Sequence, residues 1–282
     1  MLNFLKQLLS VIGRRRAYAA LLTIVMGASI LLTPQPGQTF TLLDLIRKGI
    51  PIIQALSINE QQEIALGAQT NQQIVSQMKM SQNPEINAYI NNIGQRLASS
   101  SARPNLKYTF QVVEDNAINA FATMGGFVYI NTGLMKASDN EAQLASVIGH
   151  EIGHITGRHS IEQLKQTLIA NGISSLAGLD QSQLSNVVLN IGLRLPKSRE
   201  AEYDADRRGL ENIIRVGYAP SAMPEFMKKL ASASTAPAFL STHPSPPDRV
   251  QRLNSLIPPQ YRAKTDGLDQ VNYKQRVQYF FR

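Results

Sequence analysis

Three of the four histidines in this 282-residue chain lie within ten positions, in VIGHEIGHITGRHS, Val147–Ser160. Two of them flank a glutamate as H-E-x-x-H, and no other feature restricts the fold so tightly. Positions four apart share one face of an α-helix, so His150 and His154 can reach a single ion if the segment is helical. Glu151 is rotated about 100° from His150, which puts it beside the ion rather than on it. Zinc held by neutral imidazoles lowers the pKa of its bound water to about 7, and an adjacent carboxylate can take the proton. Chance would produce the pattern roughly 0.002 times in a chain of this composition, so it is a specific signal. An exposed helix with solvated histidines fits poorly, because Val147, Ile148, Ile152 and Ile155 make the surround apolar.

A catalytic zinc site usually needs a third protein ligand. On the same element it would follow H-E-x-x-H-x-x-G-x-x-H. Gly157 stands at the glycine of that pattern, but Ser160 stands at its last position and His159 falls one residue short. His159 is therefore read as a packing residue or a support for a ligand. The better source is SREAEYDADRRG, residues 198–209, where Glu202 and Asp206 share one helical face and Glu200 and Asp204 another. One carboxylate on the ion and a second orienting a bound imidazole is the usual arrangement. Alone, the stretch also reads as a charged surface helix laced with Arg199, Arg207 and Arg208. Beside the histidine pair it is the favoured source of the third ligand.

The rest of the chain reads as helices, a small sheet, then helices, an α+β domain. Residues 41–80 look helical, with a capping box of Ser57 and Glu60 in SINE. Asn83 and Pro84 open a helix in which Ile86, Tyr89, Ile90, Ile93 and Leu97 recur at helical spacing. KYTFQVV at 107–113 alternates like a strand, and two more strand-like pieces flank Gly125–Gly126. SDNE at 138–141 predicts a second capping box, opening the motif helix. Helical pattern then runs to about residue 257, where residues 258–282 begin a short tail.

Cysteine is absent, which excludes disulfides, thiolate metal sites and a cysteine nucleophile. The net charge is +8, but half of that excess (Lys6, Arg14, Arg15 and Arg16, with no acid) lies in residues 1–40. No basic stripe with interleaved aromatics follows, so nucleic acid is not an expected partner. Those forty residues read instead as a signal peptide or N-terminal membrane anchor: RRR at 14–16 precedes the apolar run Ala17–Leu32. The run is intermediate in length between a signal core and a bilayer span. Either assignment places residues 41–257 outside the cytoplasm, in a periplasm or equivalent compartment.

HEIGH at 150–154, EYDAD at 202–206, NAFATMGGFVYINTGL at 119–134 and THPSPPDRV at 242–250 together resemble the M48 family of zinc metallopeptidases. The resemblance covers roughly residues 57–257, with four motifs in the family's order. It implies a mostly helical, zincin-like (gluzincin) endopeptidase fold binding one Zn2+ per chain. It further implies His150, His154 and Glu202 as zinc ligands, Glu151 as general base and Asp206 as the acid behind the ligands. His243 would aid catalysis as a hydrogen-bond donor to the oxyanion, or supply a fourth ligand that keeps the enzyme latent; both roles stay open. Arg249 would fix the loop of His243. Asn119, Ala120, Phe121, Ala122 and Gly126 would bind substrate as an added strand, which suits unfolded or extended polypeptides. Multi-spanning members carry membrane helices between the two metal motifs. Residues 160–196 here are interrupted by Asn171, Gly172 and Asp180, so the chain is similar to the exported or single-anchor branch. Leu164, Leu168, Ile169, Ile173 and Leu176 read as helix packing in preference to a lid or a bilayer contact. The function expected is proteolysis in membrane-associated protein quality control. Competing readings are a chaperone-like factor binding in the same cleft without turnover, and zinc hydrolysis of a cell-wall bond.

Overall fold

The computed structural model describes residues 58–170, 187, 189–191, 197–233, 237–244 and 248–282. The chain divides into two units, Met1–Phe40 and Thr41–Arg282, and every described residue belongs to the second. The expected leader, Ser57 of the first capping box, and Ile173 and Leu176 lie outside the described residues.

Helix α1 (Glu60–Gln77) starts from Asn59. The Asn59 side chain accepts from the Gln62 amide at 2.9 Å, and Gln62 Oε1 accepts from the Asn59 amide at 2.9 Å. This reciprocal box satisfies two orphan donors, but it is not the expected pair of Ser57 and Glu60. Helix α2 (Pro84–Ser99) begins as its sequence predicts: Asn83 caps Glu85 and Ile86, Pro84 occupies the first turn, and Ile86, Ile90, Ile93 and Leu97 are buried.

The sheet has three strands in the order β1-β3-β2. β1 (Thr109–Val113) pairs parallel with β3 (Phe127–Asn131), and β2 (Ala120–Ala122) pairs antiparallel with β3. A tight turn at Met124–Gly126 joins β2 to β3, with φ of 73° at Gly125 and 95° at Gly126. A Cβ at Gly126 would lie 2.5 Å from the Lys107 carbonyl, so this glycine serves the turn and the close chain approach.

Helices α3 (Thr132–Ala137), α4 (Glu141–Thr156) and α5 (His159–Ala170) follow, and α4 carries H-E-x-x-H. The cap of α4 is Asn140, accepting from Gln143 at 2.9 Å, rather than the expected Ser138. Every residue of α4 from Ala142 to Ile155 is buried, which answers the demand of the motif for a sequestered helix. On α5, Leu164 and Leu168 are buried. Helix α6 (Arg199–Arg215) packs on α4 more extensively than any other two described elements pack together. Their axes approach through glycines: a Cβ at Gly153 would sit 2.6 Å from the Ala205 carbonyl, and one at Gly209 would sit 2.9 Å from the His150 nitrogen.

Helices α7 (Ala222–Ala231), α8 (Ala238–Thr242), α9 (Arg249–Leu256) and α10 (Gln270–Phe280) complete the described fold. One apolar core unites Ile90, Val128, Leu144, Ile148, Ile213 and Phe226. Tyr273 and Val277 of α10 belong to the same core, and the Tyr273 hydroxyl donates to the Met135 carbonyl at 2.7 Å. The fold is mostly helical α+β, with α4 at its centre.

Candidate metal centre

His150 and His154 project from one face of α4, their Nε2 atoms 3.1 Å apart. Because α6 crosses α4 at glycines, it brings Glu202 opposite both: Glu202 Oε1 lies 3.2 Å from His154 Nε2, and Oε2 lies 3.5 Å from His150 Nε2. All three side chains are at most 2 % exposed. Three ligand atoms bound tetrahedrally at zinc distances would be roughly 3.3–3.6 Å apart. The observed separations of 3.1–3.5 Å, with one Glu202 oxygen toward each imidazole, are close to that spacing, and two imidazoles with one carboxylate are ordinary zinc donors, so the residues fit the ion.

A fourth group stands at the remaining corner. His243 Nδ1 is 3.3 Å from His150 Nε2 and 3.2 Å from Glu202 Oε1. The four side chains form a cluster in which one ligand atom from each lies within 4.8 Å of the others. His243 Nε2 faces Glu151 Oε1 at 3.4 Å, and this glutamate oxygen has no hydrogen-bond partner among the described residues. Glu151 is buried beside the ligand atoms rather than among them, as its helical phase requires.

Behind the ligands, Asp206 Oδ1 lies 3.0 Å from His150 Nδ1. Arg249, fully buried, donates from Nε and Nη2 to the two Asp206 oxygens at 2.8 and 2.7 Å, while its Nη1 lies 2.8 Å from Glu202 Oε2. Nη1 also donates to the carbonyls of Pro244 at 2.8 Å and His243 at 3.4 Å. One guanidinium therefore spans both carboxylates and the segment bearing His243. His159 Nδ1 meets His154 Nδ1 at 2.9 Å, and its Nε2 lies 3.2 Å from Asp204 Oδ2, so His159 supports a ligand without reaching the ion.

The electrostatics divide the two α4 histidines. Burial alone lowers an imidazole, but the carboxylates of Asp206 and Glu202 outweigh it at His150 and raise that group to about 9. At His154 burial prevails, aided by the neighbouring imidazoles, and the pKa falls well below 6.5. Burial pushes the Glu202 and Asp206 carboxyls up, yet the surrounding imidazoles, with Arg249 at Asp206, hold both below the usual carboxylate values.

Of the strand residues, Ala120, Phe121 and Ala122 form the edge strand β2 and are buried. The Thr123 amide donates to Phe127 and the Asn131 amide to Asn119, so odd-numbered residues of this segment bond to β3. By the antiparallel alternation, the main-chain groups of Ala120 and Ala122 turn away from β3. Phe239, near His243, donates its amide to the Ile118 carbonyl, tying the segment before β2 to the centre. Gly126 sits in the β2–β3 turn.

Sequence reasoning missed Lys197. It is buried, its Nζ donates to Gln163 Oε1 at 3.1 Å and the Ile191 carbonyl at 2.9 Å, and its amide donates to the Thr242 carbonyl beside His243. Burial lowers its pKa against the fields of Glu151 and Glu202. Its only sequence signal was position, one residue before the α6 cap.

The model of peptidase family M48 matches residues 84–257. A putative β-barrel assembly-enhancing protease of Vibrio cholerae is 32 % identical over 206 residues, covering 67 % of this chain and 43 % of that protein. The β-barrel assembly-enhancing protease of Escherichia coli K12 is 30 % identical over 226 residues, covering 73 % of this chain and 46 % of that protein. The mitochondrial metalloendopeptidase OMA1 of Schizosaccharomyces pombe is 34 % identical over 177 residues, covering 60 % and 52 %. The chain thus spans about half the length of these relatives.

Proposed function

This chain belongs to peptidase family M48, a family of zinc metallopeptidases, and from that membership we propose that it is an endopeptidase cleaving unfolded or extended polypeptides. The observation that carries the reading is the triangle of His150 Nε2, His154 Nε2 and Glu202 with the unpartnered Glu151 oxygen beside it. When bound there, zinc supplies Lewis-acid polarisation of a peptide carbonyl and of the attacking water. Glu151 accepts the proton of that water and returns it to the leaving amine. Asp206, held by Arg249, fixes the His150 ring so that Nε2 faces the ion. Ala120 and Ala122, whose main-chain groups turn away from β3, would bind substrate as an added strand once the groups that bury them give way, which selects extended chains over folded ones.

His243 is proposed as a fourth ligand in the conformation observed, because its Nδ1 stands as near to His150 and Glu202 as those atoms stand to each other. A closed four-ligand site is the form of structural zinc; a catalytic one keeps an open position. With a metal held by all four side chains the enzyme would be latent, and the His243 segment would have to withdraw before substrate binds. Association with a membrane through residues 1–40 and a role in protein quality control complete the proposal. They rest on the basic-then-apolar leader and on the two groups of relatives. Among the described residues no helix is long and apolar enough to cross a membrane.

The test is cleavage of unfolded casein by the zinc-loaded full chain, beside Glu151→Gln and His243→Ala. Glu151→Gln should retain zinc and lose roughly 10²–10⁴-fold in rate, the range for a general base. His243→Ala should cleave faster than the parent chain if the histidine holds latency, and slower if it serves the oxyanion. Equal cleavage by the parent and Glu151→Gln would sink the mechanism. Binding of casein without cleavage by any of the three would favour the chaperone-like reading.

A further inference from the structure

We propose that a groove between α4 and α6 is a binding site for a phosphate-class oxyanion, separate from the metal centre. The cavity measures about 160 Å³ and is lined by Arg207, Arg208, Arg215, Glu211 and Asn212 from α6, with Gly153 on the α4 side. None of His150, His154, Glu202 and His243 lines this groove, so it is distinct from the metal centre.

The lining holds three guanidinium groups against one carboxylate. Glu211 takes Arg207 Nη1 at 2.9 Å and Arg215 Nη2 at 3.3 Å, and Arg215 Nη1 donates to the Ser100 carbonyl at 2.6 Å. Asp204, just outside, takes Arg207 Nη2 at 2.7 Å and Arg208 Nε at 2.5 Å. The two Nη groups of Arg208 have no hydrogen-bond partner among the described residues, although one edge of the guanidinium is fixed. A fixed guanidinium with a free fork is the geometry that binds a tetrahedral oxyanion.

The second observation is Asn212. It is 2 % exposed, and neither its Nδ2 nor its Oδ1 has a hydrogen-bond partner among the described residues. A buried amide group without partners is unfavourable, so this side chain calls for an occupant in the groove. Water would meet the amide but leave the excess positive charge. An oxyanion accepts from Nδ2 and the Arg208 fork together. The Oδ1 atom needs a donor, and hydrogenphosphate carries one in its P–OH, whereas sulfate at neutral pH carries none. The amide and the arginines together therefore favour phosphate, either as the free ion or as a phosphate monoester. Arg208 also holds Asp204, which supports His159 against the ligand His154.

The test is isothermal titration of the zinc-loaded full chain with inorganic phosphate and, separately, with sulfate at equal ionic strength. Glycerol phosphate forms a third arm that distinguishes a monoester from the free ion. Saturable phosphate binding is expected, tighter than sulfate, and weakened at least about tenfold in both Asn212→Asp and Arg208→Gln. Zinc content is measured in each variant. Phosphate binding equal in the parent and both variants would assign the anion to the metal instead and overturn the proposal. So would the absence of saturable phosphate binding by the parent, or equal affinity for sulfate.

Discussion

At the scale of the residue, the metal centre is a contest over one proton. Without metal, His150 is drawn up to about 9 by Asp206 and Glu202 against its own burial, whereas burial holds His154 well below 6.5. A folded-state pKa above the unfolded value stabilises the metal-free protein fully below about 6.5, and this contribution is lost as pH rises through about 9. Zinc requires neutral His150, so it must displace that proton. Apparent zinc affinity is therefore expected to rise between pH 6.5 and 9, by up to about tenfold per unit, and then level off. Competition against a chromophoric chelator across that range measures it, and a flat profile would refute the assignment. Asp206→Asn should end the rise at lower pH, because His150 loses one of its two acidic partners, and should lower affinity about 10–100-fold above it. This much of the site was open to sequence reasoning, since i and i+4 on a helix fix which pairs act together. His150 with His154, and Glu202 with Asp206, are both such pairs. His243 stands 41 positions from Glu202 and Arg249 stands 43 from Asp206, related by no periodicity, so only resemblance pointed to them.

At the scale of the element, the caps show how local signals are legible yet ambiguous. SINEQQ before α1 and SDNEAQ before α4 share the pattern S-x-N-E-x-Q, in which Ser–Glu and Asn–Gln boxes overlap two residues apart. In both helices asparagine is the cap. That register leaves Glu60 and Glu141 in the first turn, where the helix dipole favours an acid. It also frees Ser138 to end α3, through its amide and hydroxyl donating to the Leu134 carbonyl at 3.0 Å. The crossing of α4 and α6 was less legible, because glycine in a helix signals close approach without naming the neighbour. Gly153→Ala tests it. Helix propensity alone would stabilise the protein by about 0.8–1 kcal/mol. The new Cβ, however, would lie 2.6 Å from the Ala205 carbonyl, which is backbone and cannot swing aside. Overpacking should win, with a net loss of about 1–2 kcal/mol in a denaturant titration. Zinc affinity should fall as well, since Glu202 would be pushed from the histidine pair. A raised denaturation midpoint would show that the two helices separate freely.

At the scale of the whole molecule, the C-terminal end of α4 is held by charges from distant segments. Glu63 on α1 is buried, and it accepts from Arg103 Nη1 at 2.8 Å and from Arg158 Nε at 2.9 Å. Arg103 Nη1 also donates to the Ile155 carbonyl in the last turn of α4, and Arg158 Nη2 donates to the Ile58 carbonyl. Arg158 takes a left-handed conformation, φ 55°, just after α4, which turns the chain so that its side chain reaches back to α1. Nothing in the sequence related these groups, because the partners stand 40 and 95 residues from Glu63 and each reads as an ordinary surface charge. Removing one member of a buried ion pair typically costs 3–5 kcal/mol. Here Arg158 is 41 % exposed and water can meet part of its charge, so Glu63→Gln should cost about 2–3 kcal/mol. Arg158→Met should cost less, and the double variant should recover at least about 0.5 kcal/mol relative to the sum, the coupling expected of residues in one network. Strict additivity in that cycle would mean that the cluster is three independent surface contacts, with the helix end held by apolar packing alone.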